Sequence, residues 1–107
     1  MAVVSIHECD PWVVARWAFR LLLERTAERL DADLDRHACE QAVALDGVHF
    51  DLLSADQAAR VALAMARAAA ELREELLKSV GDPRDVEFAE SLSLLIVSLR
   101  HYPPLDE

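Results

Sequence analysis

Apolar residues recur at helical spacing through most of this chain. Ala58, Ala62, Met65, Ala69, Leu72 and Leu76 alternate steps of four and three, a heptad-like seam that predicts a helix over about 55–79. Phe88, Leu92, Leu95 and Leu99, flanked by Ala89 and Ile96, predict another over about 83–101. Upstream, Leu23, Ala27, Leu30, Leu34, Ala38, Ala42 and Leu45 keep the same period. One helix from Pro11 to Leu45 would span roughly 50 Å at 1.5 Å per residue, long for a compact domain. Asp31, Asp33 and Asp35 are poor helix formers, and Asp31 or Asp33 suits a cap. The preferred reading is therefore two helices, about 11–30 and 33–46, broken near 30–33.

Breakers agree with this pattern. Asp10-Pro11 and Asp82-Pro83 read as helix starts, since Asp accepts from orphan amides and Pro loses no bond at the first helical position. Ser54-Ala55-Asp56-Gln57 fits a capping box. The two glycines, Gly47 and Gly81, fall where helices should stop. Tyr102-Pro103-Pro104 closes the last helix. The connector Val48-His49-Phe50-Asp51-Leu52-Leu53 is apolar enough to fold onto one end of a bundle. Ala2-Val3-Val4-Ser5-Ile6 has β character but no evident second strand, and is expected to pack as an extended arm over 1–10. The fold class expected is all-α: a compact bundle of three to four helices in a single domain, 1–107, with that N-terminal arm.

The first helix, taken from Pro11, carries apolar residues around most of its circumference, with a narrow polar stripe of Arg16, Arg20, Glu24 and Glu28. A surface helix of a monomer normally shows a wider polar face. This predicts a homodimer with Trp12 or Trp17 at the interface, the two pointing in different directions because they lie five residues apart. The competing expectation is a monomer whose arm and 48–53 connector cover that helix.

Composition narrows the partners. The formal charge is −9, which argues against direct nucleic-acid contact and against an anionic membrane surface. Between Leu30 and Asp56 seven acids (Asp31, Asp33, Asp35, Glu40, Asp46, Asp51, Asp56) face one base, Arg36. Such a cluster steers a basic protein toward it; the plain alternative is a solvated face with caps and turns. Asp31, Asp33, Asp35, Glu40, Asp46 and Asp51 are the candidate partner-binding residues. Cys9 and Cys39 are too few for a disulfide framework and suit reduced thiols in a cytoplasmic protein. The N-terminus lacks a signal-peptide pattern, and no apolar stretch is long enough to span a bilayer.

Motifs for chemistry are weak. Asp31-x-Asp33-x-Asp35 begins like a calcium loop, but Arg36 stands where glycine is needed and Ala42 where glutamate is needed. His37, Cys39 and Glu40 lie close in sequence, and an arm folded toward them would add His7-Glu8-Cys9 as ligands, yet zinc spacing is missing. Ser91, Ser93 and Ser98 sit within a helix, where hydroxyls bond to the preceding turn. No catalytic residue, metal site or cofactor is assigned. Tyr102-x-x-x-Asp106 resembles the secretion signal of small helical-hairpin proteins exported by type VII systems. The Trp-x-Gly turn of that family is missing, since Leu45-Asp46 precedes Gly47, and the chain has one or two helices too many, so the resemblance is not adopted. The expected function is a non-enzymatic interaction module, regulatory or inhibitory, as an immunity protein or antitoxin is toward a basic effector. The alternatives are an accessory subunit docked through the first helix, or a small metal- or ligand-binding bundle using His37 and Cys39.

Overall fold

The computed structural model describes residues 1–6, 11–78 and 82–100. The expected start at Asp10, the stop at Gly81, the His7-Glu8-Cys9 group and the Tyr102–Asp106 motif lie outside the described residues. The protein is a mostly helical, compact globule with a Cα radius of gyration of 13.0 Å, to which a small three-stranded sheet is added. In chain order the elements are β1 (Ala2–Ser5), β2 (Trp12–Val14), α1 (Arg16–Glu28), α2 (Asp33–Leu45), β3 (Gly47–His49), a 3-10 turn (Phe50–Leu52), α3 (Ala55–Lys78) and α4 (Pro83–Leu99).

The sheet corrects two expectations. The N-terminal segment is not an unpaired arm, and the first helix does not begin at Pro11. β1 is the central strand: it pairs antiparallel with β2, Val4 opposite Trp12, and parallel with β3, Val4 opposite Val48. Val13 and Val14 are β-branched and Trp12 aromatic, so a pleated surface suits them as well as a helix does. Period-two burial follows. Ala2, Val4 and Ile6 point inward, as Trp12 does, while Val13 faces out. Trp12 also anchors the sheet to α4, its indole N–H donating to the Ser91 carbonyl at 2.9 Å.

The break between the first two helices falls where expected, between Glu28 and Asp33. Its capping differs. Ala32 occupies the N-cap position with no side-chain cap bond, and Asp33 and Asp35 act instead as acidic residues in the first turn. At the other end Asp46, not Gly47, takes the left-handed conformation that stops α2, with φ 55°. Aspartate tolerates that region better than most residues. Gly47 serves a different need. A Cβ there would lie 3.1 Å from Val3 Cγ1, so the missing side chain lets β3 approach β1.

The later helices follow the expected pattern closely. Ser54 Oγ accepts from the Gln57 backbone amide at 3.2 Å, one half of a capping box, while the Gln57 side chain donates to the Leu34 carbonyl at 3.4 Å. Asp82 Oδ1 accepts from the Arg84 amide at 2.9 Å, with Pro83 inside the first turn. Ala58, Ala62, Met65, Ala69 and Leu72 are buried along α3, and Phe88, Leu92, Leu95 and Leu99 along α4. α3 and α4 form the largest helix–helix contact of the fold, and Phe19, Leu22 and Leu23 of α1 complete the core. In the connector Val48 and Phe50 are buried, closing one end of the core, while Leu52 is exposed. Replacing Asp82 with Ala is expected to lower stability by about 1 kcal/mol through loss of the cap. Urea denaturation checks this: the midpoint should fall while the slope stays unchanged.

Candidate functional site

The acids of the 31–56 segment separate into two groups. Asp35 and Asp46 belong to the fold. Asp35 lies in the first turn of α2 with its side chain only 1% exposed, and Arg60 of α3 reaches it through Nε at 2.7 Å and Nη2 at 3.2 Å. The bidentate guanidinium holds the Asp35 carboxyl below its ordinary range; burial opposes this, and Gln57 adds a further hydrogen bond. Asp46 forms a corner. Its carbonyl accepts from the Val3 amide at 3.1 Å, and its carboxylate meets Arg16 Nε at 2.8 Å. Both charges are thus compensated within the chain, that of Asp35 in the interior and that of Asp46 at the surface.

Asp31, Asp33 and Glu40 remain at the surface around α2. Asp33 pairs with Arg36 one turn on, at 2.8 Å, and Glu40 lies 3.8 Å from His37 Nδ1. Asp51 is exposed on the 3-10 turn and Asp56 on the first turn of α3. Two leucines of this helix also face solvent. Leu34 is 77% exposed and Leu45 79% exposed. Eleven residues apart, they return to nearly the same angle of a 3.6-residue helix. Both belong to the apolar period of the sequence, which by itself marks them as core positions. Only the burial of Asp35, Cys39 and Ala42 reveals that α2 turns another face inward.

The α1–α3 groove, about 1020 Å³ in volume and open to solvent, is crossed by ion pairs that join these helices. Arg25 pairs with Glu75 and Arg29 with Glu71, while Arg60–Asp35 closes the end next to α2. Glu75 is held below its usual range by the Arg25 hydrogen bond, and the Arg25 guanidinium is raised in turn. The Asp35 and Glu75 carboxylates are thus stabilised as anions, the opposite of the raised pKa a general acid needs. The groove acts as a clasp between helices.

Cys39 and His37 do not converge. Cys39 is buried in the core, where burial, with Asp35 and Glu40 adding, pushes its thiol up to about 11. The His37 side chain is 61% exposed on the outer side of α2. Among the described residues no three His, Cys, Asp or Glu side chains are grouped to hold a metal ion. Among the described residues no helix is long and apolar enough to cross a membrane. Of the two tryptophans, Trp12 is covered by its own chain. Trp17 is 49% exposed and packs edge-on against Phe88, ring centroids 5.4 Å apart. No known protein family, curated protein or solved structure matches the chain.

Two expectations follow. Asp35 has a lowered folded-state pKa, so its contribution to stability is present above the unfolded value near 3.8 and lost as pH falls through the folded one. Asp35→Asn should reduce stability at neutral pH and flatten the acid limb of a stability–pH curve measured by urea denaturation. In a Cys9→Ser background, Cys39 should resist thiol reagents at pH 8 while the protein is folded and react promptly in denaturant. Mass spectrometry of the alkylated protein reads the difference.

Proposed function

We propose that this protein is a non-enzymatic interaction module, regulatory or inhibitory in the manner of an immunity protein or antitoxin, and that the outer face of α2 receives a basic protein partner. One observation carries the reading: two leucines more than three-quarters exposed share a face of a helix whose other surface side chains include Asp33 and Glu40. Apolar anchors bounded by carboxylates suit a partner that presents an apolar patch within Lys and Arg. The anchors supply the area removed from water, and the carboxylates supply steering and register. With Asp35 buried against Arg60, the steering falls to the exposed acids Asp31, Asp33, Glu40 and Asp51, of which Asp33 also pairs with Arg36. A cytoplasmic setting accords with Cys39 as a buried free thiol.

The accessory-subunit reading keeps one favourable feature, the half-exposed Trp17 at the start of α1. Three of the apolar residues counted toward the first helix, Trp12 to Val14, belong to β2, and Ala18, Phe19, Leu22 and Leu23 of α1 are buried within the chain's own core. Salt separates the two readings, because screening weakens charge-steered association far more than apolar docking.

The test is capture of partners from the native cell, followed by binding kinetics on the purified pair. Asp31→Asn, Asp33→Asn and Glu40→Gln together should slow association and flatten its dependence on salt while the fold persists. Leu34→Ala should act mainly on the dissociation rate. Equal on-rates for parent and triple variant at low salt would remove α2 from the argument.

A further inference from the structure

A second apolar surface lies on α4, away from α2. Its buried side is Phe88, Leu92, Leu95 and Leu99. On the opposite side Val86, Glu90, Leu94 and Val97 follow one another at steps of four, four and three, forming a single stripe. Leu94 is 69% exposed and Val97 64% exposed. From Ser91 to Ser98 the helix carries no charge at all. A solvent-facing helix ordinarily carries charged and polar residues on its outer side.

The charges that bracket this uncharged stretch are opposite in sign. Glu90 precedes it and Arg100 follows it, each five residues from Leu95. Neither has an ion-pair partner among the described residues. On an antiparallel pair of identical helices related by a two-fold axis near Leu95, each Glu90 stands level with the other copy's Arg100. Leu94 and Val97 then meet their counterparts about the axis. A surface that is apolar at its centre and self-complementary in charge at its ends fits its own copy, which a uniformly acidic or basic rim would repel. The neighbouring side of α3 is compatible with close approach. Arg73 donates to Ser93 at 3.3 Å, fixing this flank beside α4, and Ala66 and Ala70 lie on the same side of α3 as Arg73. Their short side chains leave room for a leucine from across the axis.

We propose that the protein self-associates as a two-fold dimer through the outer face of α4, with Leu94 and Val97 at the axis and reciprocal Glu90–Arg100 pairs at the ends. The α3–α4 hairpins of two copies then make a four-helix layer, and both α2 faces stay open. The proposal is independent of the reading of α2 and of the Trp12/Trp17 interface expected for the first helix.

Sedimentation equilibrium at micromolar concentration tests it on the full chain. The parent should run at twice 11.9 kDa. Leu94→Glu and Val97→Glu, checked for native helicity by circular dichroism, should each raise the dimer dissociation constant at least about tenfold, since a carboxylate would be buried at the axis. Leu94→Ser gives a milder version should either variant fold poorly. Trp17→Glu should leave the dimer intact. Glu90→Arg or Arg100→Glu alone should weaken it, and the double reversal should restore it. A monomeric parent overturns the proposal, as does a dimer indifferent to Leu94→Glu and Val97→Glu. A double reversal that fails to recover the loss of the single ones overturns the antiparallel arrangement.

Discussion

Strand β1 holds the two halves of the chain together because it pairs along both edges. On one side it meets Trp12–Val14, and on the other Gly47–His49. A four-residue strand with one neighbour would be marginal in water. With two neighbours, and with Ala2, Val4 and Ile6 turned onto the helices, its backbone groups are satisfied and its apolar side is covered. That pairing sets where α1 begins, since Trp12 to Val14 are removed from the helix. It also sets where α2 must end, since Gly47 has to arrive beside Val3. Asp46 makes that arrival sharp: its left-handed backbone stops α2, its carbonyl takes the Val3 amide, and its carboxylate meets Arg16 at the start of α1.

The arginine–carboxylate pairs perform a related task among the helices. Arg25–Glu75, Arg29–Glu71 and Arg60–Asp35 each join α3 to an earlier helix. Exposed pairs of this kind contribute little stability individually. The buried Asp35 differs, because its carboxylate depends on Arg60 for compensation, and a missing partner would leave an uncompensated charge in the interior. The pair therefore helps specify how α2 sits on α3. One consequence reaches function: the acidic segment is less acidic toward a partner than its composition suggests, because part of its charge serves the fold.

What faces water is more informative than what fills the core. α2 and α4 each bury one side and leave large aliphatic residues on the other: Leu34 and Leu45 on α2, Leu94 and Val97 on α4. Their surroundings differ. The α2 leucines share their helix with exposed carboxylates, which favours a basic partner. The α4 stripe is uncharged between an acid and a base, which favours its own copy. On the two proposals made above, one small chain dedicates separate faces to assembly and to recognition.

The sequence by itself determined the helical character, the positions of α3 and α4, the break before Asp33, and the caps at Ser54 and Asp82. All of these rest on interactions within one or two turns, so a helical period or a cap residue records them locally. The buried face of α3, from Ala58 to Leu72, was legible for the same reason. The sheet was decided only by tertiary structure. Val4 opposite Val48 joins residues far apart in the chain, and three-residue strands are too short to announce a period of two. The candidate site divides in the same way. That residues 31–56 are acidic is a property of composition. That Asp35 is buried against Arg60, that Asp46 turns a corner, and that Leu34 and Leu45 look outward depend on which side of α2 meets α1 and α3. A helix of mixed polarity offers several faces for burial, and the packing of its neighbours chooses one.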